Sequence, residues 1–297
     1  MKDGQPSKTA QYVAANVVFS SVHPVLEGVL PLDAGRETSR YFRSLDTWTG
    51  TGARLFHRLP KFVLRRLIAR IPPGVIAQTV LRKRWIQDAV RANLSDCSQV
   101  VVLGAGLDTL APRLRREYPD VRFWEIDHPA TQGVKRRVVE QGSNLTLCSE
   151  DFTERAPMSS LDADTDYDPD EPTVVVTEGL LMYLSEAEVR ELFDAVREHT
   201  GEGSHLVGTA INPNAMADGP DWLESANSSR SPTFLDRLGE PWHWVVESGK
   251  LSDELDDHGF ELTALSQMRH LRAQYLPDRP NLSVYPIEYC FEATHEE

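Results

Sequence analysis

Residues 99–109 read Gln-Val-Val-Val-Leu-Gly-Ala-Gly-Leu-Asp-Thr, an apolar run that ends in two closely spaced glycines. A short run of this kind suits a strand buried on both faces of a parallel sheet. Gly104 and Gly106 then let the backbone approach a ligand closely, because no Cβ intrudes. Leu110 to Tyr118 reads as a helix, and a helix N-terminus offers N–H groups without intrahelical partners. A lone GxG also makes ordinary tight turns, so the surrounding pattern has to decide.

Val121 to Ile126 reads as a second strand, and it leads into Trp-Glu-Ile-Asp at 124–127. Glu125 lies 21 residues past Gly104 and Asp127 lies 23 past it. An acid about 20 residues beyond such a turn is where a ribose diol finds its hydrogen-bond acceptor. Either acid meets that spacing. A nicotinamide dinucleotide wants a third glycine, and here the sixth position of the turn is Thr109. The turn also supplies Asp108, which would repel a pyrophosphate but tolerates a sulfonium ligand without phosphate. Electrostatics therefore favour S-adenosyl-L-methionine over a dinucleotide.

The alternation continues outward in both directions. Tyr41 to Arg70 has a helical pattern, with Trp48, Leu55, Phe56, Leu59, Phe62, Val63 and Leu67 as candidate core. Val75 to Leu94 reads as one helix, interrupted by Arg82, Lys83 and Arg84. Residues 1 to about 20 are an arm or a first helix. Beyond the second strand come a basic helix (Ala130 to Gln141) and strands at Leu145–Cys148, Thr173–Thr177 and His205–Thr209. Residues 157–172 are acidic and proline-flanked and read as a surface loop. Ser185 to His199 is a helix opened by a capping box, Ser185 with Glu188. Phe260–Leu265 and Ile287–Thr294 supply the last two of seven strands. The expected fold is α/β, a Rossmann-like, mostly parallel sheet with a helical N-terminal region. Residues 212–250, with Trp222, Trp242 and Trp244 among Pro, Gly and Ser, break the rhythm and read as an inserted cap.

Bulk properties narrow the function. The chain has 297 residues, 40% of them hydrophobic, enough for one large domain or a domain with a subdomain. A formal net charge of −14 argues against general nucleic-acid binding. The three cysteines, Cys97, Cys148 and Cys290, are isolated, so neither a disulfide framework nor a metal site can be read from them. The N-terminus has no apolar h-region, and no apolar run approaches the length of a membrane span. A cytoplasmic protein with reduced thiols is expected, with no nucleic-acid or membrane partner; its oligomeric state is not legible.

Three motifs, LGAGLDT (103–109), EIDHPATQGVKRR (125–137) and TEGLLMYLSEAEV (177–189), together resemble the leucine carboxyl methyltransferase family. The likeness runs over about residues 75–210, and the family's bacterial branch includes polyketide O-methyltransferases. The resemblance implies a class I methyltransferase sheet whose last strand is antiparallel, and a helical cap over the substrate. It matches Gly104 and Gly106 to the cofactor turn and Asp127 to the ribose acid. Asp151 and Phe152 in SEDFTE match the segment flanking adenine. Glu178 matches the acid that faces the methionine amino group. Arg82 in LRKRWIQD matches the arginine that holds the methionine carboxylate, with Arg84 as the alternative. Lys83 stands where many bacterial members carry Thr, and Gln87 where they often carry Asp.

The division expected is a helical arm and lid (1–95), a cofactor-binding core (96–211), a substrate cap (212–250) and the C-terminal part of the sheet (251–297). The candidate catalytic side chain is Tyr183. Methyl transfer from a sulfonium is an in-line displacement that needs alignment and water exclusion. A carboxylate is ionised at neutral pH and needs no base, whereas a phenol does. No motif places a base, although His128, His205 and His243 are candidates. This fits the carboxylate acceptor that the resemblance implies, a small-molecule carboxylic acid methylated to an ester, or a protein C-terminus, which one branch of the family esterifies. Phenol or hydroxyl methylation, a nicotinamide oxidoreductase and a non-catalytic binder of the same fold are the competing readings.

Overall fold

Valine-rich runs extend into strands because a β-branched side chain packs well on a pleated, buried surface. β1 (Gln99–Leu103) and β4 (Thr173–Thr177) are buried at every position. The computed structural model describes residues 7–45, 59–71, 73–140, 142–216 and 242–295. With β2 (Arg122–Asp127), β3 (Leu145–Ser149), β5 (His205–Ile211), β6 (Phe260–Gln267) and β7 (Glu288–His295), these strands form one seven-stranded sheet. Its order is β3-β2-β1-β4-β5-β7-β6. β7 runs antiparallel between β5 and β6, while β1 to β5 pair in parallel.

Alternate residues of each strand feed opposite faces. Val100 and Val102 join a core with α4 (Pro73–Asn93), α5 (Leu110–Glu117) and α10 (Met268–Tyr275). Val101 and Leu103 join the opposite core with α7 (Glu186–Glu198) and α9 (Leu251–Asp256). A third cluster ties α1 (Lys8–Ser20) to α2 (Leu32–Ser44) and α6 (Pro129–Arg136) through Val18, Phe42 and Val134. α3 (Lys61–Ile68) precedes α4, and the short α8 (Pro213–Met216) follows β5. α1 starts at Ser7, whose hydroxyl accepts the Ala10 N–H at 3.0 Å. The capping box of α7 forms as the sequence indicates. Among the described residues no helix is long and apolar enough to cross a membrane.

Three local expectations need correction. The helical stretch from Tyr41 to Arg70 is not continuous: α2 ends at Ser44 and Leu45 is extended. In α3 the inward pair is Leu64 and Ile68, one turn apart, so Leu59, Phe62 and Leu67 are exposed instead of core. Trp48, Leu55 and Phe56 lie outside the described residues. The basic helix after β2 stops at Arg136. The acidic stretch 157–172 is not merely a surface loop, because Met158, Leu161 and Tyr167 sink into the core. Tyr167 stands edge-on to Trp124, ring centroids 5.1 Å apart.

Beneath the glycine turn after β1 lies a fully buried ion pair. Lys135 Nζ of α6 meets Glu125 Oε2 of β2 at 2.7 Å, and neither side chain reaches solvent. Burial pushes the Glu125 carboxyl up, and Lys135 opposes that. Removing one partner of such a pair strands the other charge, at a cost of about 3–5 kcal/mol. Lys135→Met should therefore lower unfolding free energy in urea by about that amount, and adding Glu125→Gln should restore much of it. An unchanged midpoint in the single variant would contradict this.

Candidate active site

The chain leaves β1 toward β2 on one side, while β4 continues toward β5 on the other, so a crevice opens at the carboxyl ends of β1 and β4. A cavity of about 630 Å³ occupies that place. Arg82, Gly104, Gly106, Asp127, Asp151, Phe152, Glu178 and Tyr183 all line it, although they come from five separate stretches of chain. α1 contributes Ala10, Val13 and Val17 to the same wall.

The turn after β1 is built for close approach. Gly104 and Gly106 have φ of 63° and 51°, left-handed values that favour glycine. A Cβ on Gly104 would come within 2.9 Å of Leu180 Cδ1. The Gly106 N–H donates a short hydrogen bond to Asp127 Oδ2, so turn and strand-end acid form one unit. Burial pushes the Asp127 carboxyl up against the pull of that N–H and of Lys135. Glu125 does not line the cavity, because its carboxylate is spent on Lys135. The two acids left open by spacing alone thus divide into a cavity acid and a core acid.

Asp151 follows β3 and accepts from Thr153 N–H at 3.0 Å and Thr153 Oγ1 at 2.7 Å. Its Oδ2 also faces His128 Nε2 at 3.3 Å. Partial burial pushes its carboxyl up, but the Thr153 bonds and His128 outweigh that and hold it below its usual range. His128 Nδ1 accepts the Ala130 N–H and caps α6, so both of its ring nitrogens are engaged. Phe152 packs against the core below.

On the opposite wall, charges gather from four elements. Arg82 Nε donates to Glu178 Oε1 at 3.0 Å, and its Nη1 donates to both oxygens of Glu288, at 2.7 and 2.8 Å. Lys83 Nζ lies 3.0 Å from Glu178 Oε1 and 3.0 Å from Asp108 Oδ1. Gln78 Nε2 donates to Glu288 Oε2 at 3.1 Å. Burial opposes the charged form of Arg82, but Glu288 and Glu178 outweigh it and raise the guanidinium pKa. Arg84 is elsewhere: it pairs with Asp88, stacks on Tyr275 and donates to the Val29 carbonyl. Of the two arginines, Arg82 lines the cavity and Arg84 does not. Gln87 also points away, accepting from Arg113 Nη1 at 2.7 Å.

Sequence reasoning passed over Glu288 and Gln78, and it noted Lys83 and Asp108 without joining them to Arg82. A single acid in the apolar strand run Ile287–Phe291 was the available signal for Glu288. The far end of the cavity is aromatic. Tyr183, in a 3-10 turn over Leu181–Tyr183, is joined there by Tyr12, Trp242, His243 and Tyr285. Trp242 Nε1 is buried and has no hydrogen-bond partner among the described residues. Trp244 turns into the core against Phe193, ring centroids 6.3 Å apart, and Trp222 lies outside the described residues. His205 sits at the other end of β5, facing Glu292 at 3.0 Å.

Among the described residues that line this cavity, acids outnumber Lys and Arg. Such a lining suits a cationic sulfonium and would repel a diphosphate. The bare glycine turn and the strand-end acid fit an adenosine. Sheet order and site together are those of a class I, S-adenosylmethionine-dependent methyltransferase. Comparison with known proteins agrees. The leucine carboxyl methyltransferase profile matches residues 47–197. A Frankia alni protein assigned to the S-adenosyl-L-methionine-dependent methyltransferases is 30% identical over 209 residues, covering 65% of this chain and 70% of that protein. A Streptomyces avermitilis protein assigned likewise is 33% identical over 181 residues, 59% of this chain and 62% of its own. In fold, the chain is similar to a Thermobifida fusca YX protein assigned as a methyltransferase, with TM-score 0.59 and 19% identity over 87% of this chain and 94% of that one. The chain belongs to the leucine carboxyl methyltransferase family.

Asp108 offers a pH test of the charged wall. Burial pushes its carboxyl up, but Lys83, Lys135 and Arg113 together win and hold it at about 2, below its ordinary 3.8. A depressed carboxyl contributes stability that is present above the ordinary value and lost as pH falls toward the folded one. Asp108→Asn should therefore be less stable than the parent, on the order of 2 kcal/mol, at any pH above about 5. The gap should close between about pH 4 and pH 2. Urea titrations across that range check it, and a gap that persists at pH 2 would refute it.

Proposed function

We propose that this methyltransferase transfers the methyl group to a carboxylate oxygen of a small, largely apolar organic acid, polyketide-like in character, and makes a methyl ester. The observation that carries the reading is the buried Trp242 N–H, without a hydrogen-bond partner among the described residues, beside Tyr183 on the aromatic wall. A carboxylate has two oxygens: one accepts from that N–H while the other attacks. An aromatic wall with one polar handle is what an apolar ligand with a single oriented group requires.

S-adenosylmethionine supplies an electrophilic methyl group on sulfur. In this reading Asp127 accepts from the ribose hydroxyls, and Asp151 and Phe152 bound the adenine. Glu178 faces the ammonium of the methionine part, and Arg82 faces its carboxylate. Tyr183, near enough to Arg82 to influence it electrostatically, contacts the acceptor. Residues 1–95 would act as arm and lid, and α1 lines the cavity; 212–250 would act as a cap, of which Trp242 and His243 line the cavity and 217–241 lie outside the described residues. Cytoplasmic placement rests on three unpaired cysteines.

One observation favours a second reading. His243 lines the acceptor end, and its imidazole would be placed to take a proton from a phenol.

Asp127→Ala removes a charged acceptor, so S-adenosylhomocysteine affinity should fall by roughly 1.5–3 kcal/mol per lost bond. Titration calorimetry showing unchanged affinity would remove Asp127 from the ribose site. A labelled methyl donor offered with matched carboxylic acids and phenols tests the acceptor. The acid should be taken, its product should release methanol in mild alkali, and the rate should stay nearly flat from about pH 6 to 9. An alkali-stable product with a rate that climbs with pH would select the phenol reading and leave the cofactor untouched.

A further inference from the structure

We propose that Glu288, the first residue of β7, is a positioning residue that aims Arg82 at the methionine end of the donor. The inference rests on the reading of Arg82 given above. Glu288 lies outside the stretch matched by the family profile, residues 47–197.

Arg82 has three nitrogens and two carboxylate neighbours. Nε is used by Glu178, and Nη1 is used by both oxygens of Glu288. Nη2 is hydrogen-bonded to neither, and it sits beside Gly179, where an added Cβ would come within 3.4 Å of it. The guanidinium plane is thus fixed from two sides, and Nη2, which neither carboxylate takes, lies at the turn after β4. A free arginine grips a carboxylate with two parallel bonds; this one presents a single end.

Glu288 is itself held. It is only 1% exposed, it opens a strand paired to β5 at Ile211, and it accepts from Gln78 Nε2. Glu178 cannot do the same work alone, since Lys83 also donates to it. A carboxylate shared between two cations leaves the guanidinium free to turn about its Nε bond. The two-oxygen grip of Glu288 on Nη1 removes that freedom. It also explains a buried acid in an otherwise apolar strand start.

Two probes separate positioning from general support. S-adenosylhomocysteine carries the amino-acid end, and 5′-methylthioadenosine lacks it. In the full chain, Glu288→Gln should weaken the first by about tenfold or more, because a guanidinium free to turn loses its charged hydrogen bond to the ligand. The second should keep its affinity within about twofold. Glu288→Asp keeps the charge but withdraws it by one methylene, so it should fold and show a smaller loss of the same selective kind. Arg82→Ala is the reference and should show the largest selective loss. Equal losses for both probes, or no loss in either Glu288 variant while Arg82→Ala is weakened, would overturn the role of Glu288. If Arg82→Ala binds S-adenosylhomocysteine normally, the Arg82 assignment falls and this inference falls with it.

Discussion

Five buried or nearly buried charges hold the site together: Arg82 and Lys83 on α4, Asp108 in the cofactor turn, Glu178 after β4, and Glu288 on β7. Each would be costly to bury alone, and each is tolerable because its neighbours compensate it. The network joins a helix that precedes the sheet to two strands and a turn that lie up to about two hundred residues further on. It therefore constrains how the N-terminal helices seat on the sheet. Its members are two cations and three carboxylates, and Lys135 and Arg113 act on Asp108 from outside it.

A second pair of constraints shapes the other wall. The buried Glu125–Lys135 bridge fixes α6 beneath the turn, and the Gly106 N–H to Asp127 bond fixes the turn to the end of β2. Two acids at positions i and i+2 share a strand face yet do different work. The inner one is neutralised by a lysine. The outer one emerges at the crevice, where a diol can reach it. α1 then covers part of the crevice with small apolar side chains, among them Ala10, whose Cβ would lie 3.4 Å from one added to Gly106. A larger side chain on either partner would narrow the adenosine end.

Much was legible before any coordinates. The runs QVVVL and TVVVT could only be central strands, since uniform burial leaves no polar face. The capping box at Ser185 and Glu188 marked α7 to the residue. Seven of the eight cavity-lining residues named in the sequence analysis come together because class I topology brings the ends of neighbouring parallel strands to one edge, and Arg82 joins them from α4. The stretch from Tyr41 to Arg70 was misread because its apolar residues follow a helical period without saying where the chain turns. Phase within α3 depends on which side Leu64 and Ile68 find a neighbour, and that is not local information.

The sequence by itself determined the sheet, the glycine turn after β1 and the identity of the acids near it, because hydrophobic period and glycine placement act over a few residues. Only the tertiary structure decided which charges meet. Spacing could not separate Glu125 from Asp127; Lys135, brought alongside by α6, holds Glu125 in the core and Asp127 lines the cavity. Likewise, Arg82 and Arg84 are two residues apart on one helix and therefore point to different sides. The sheet lies on one side only, and it carries Glu288 from the far end of the chain to meet Arg82.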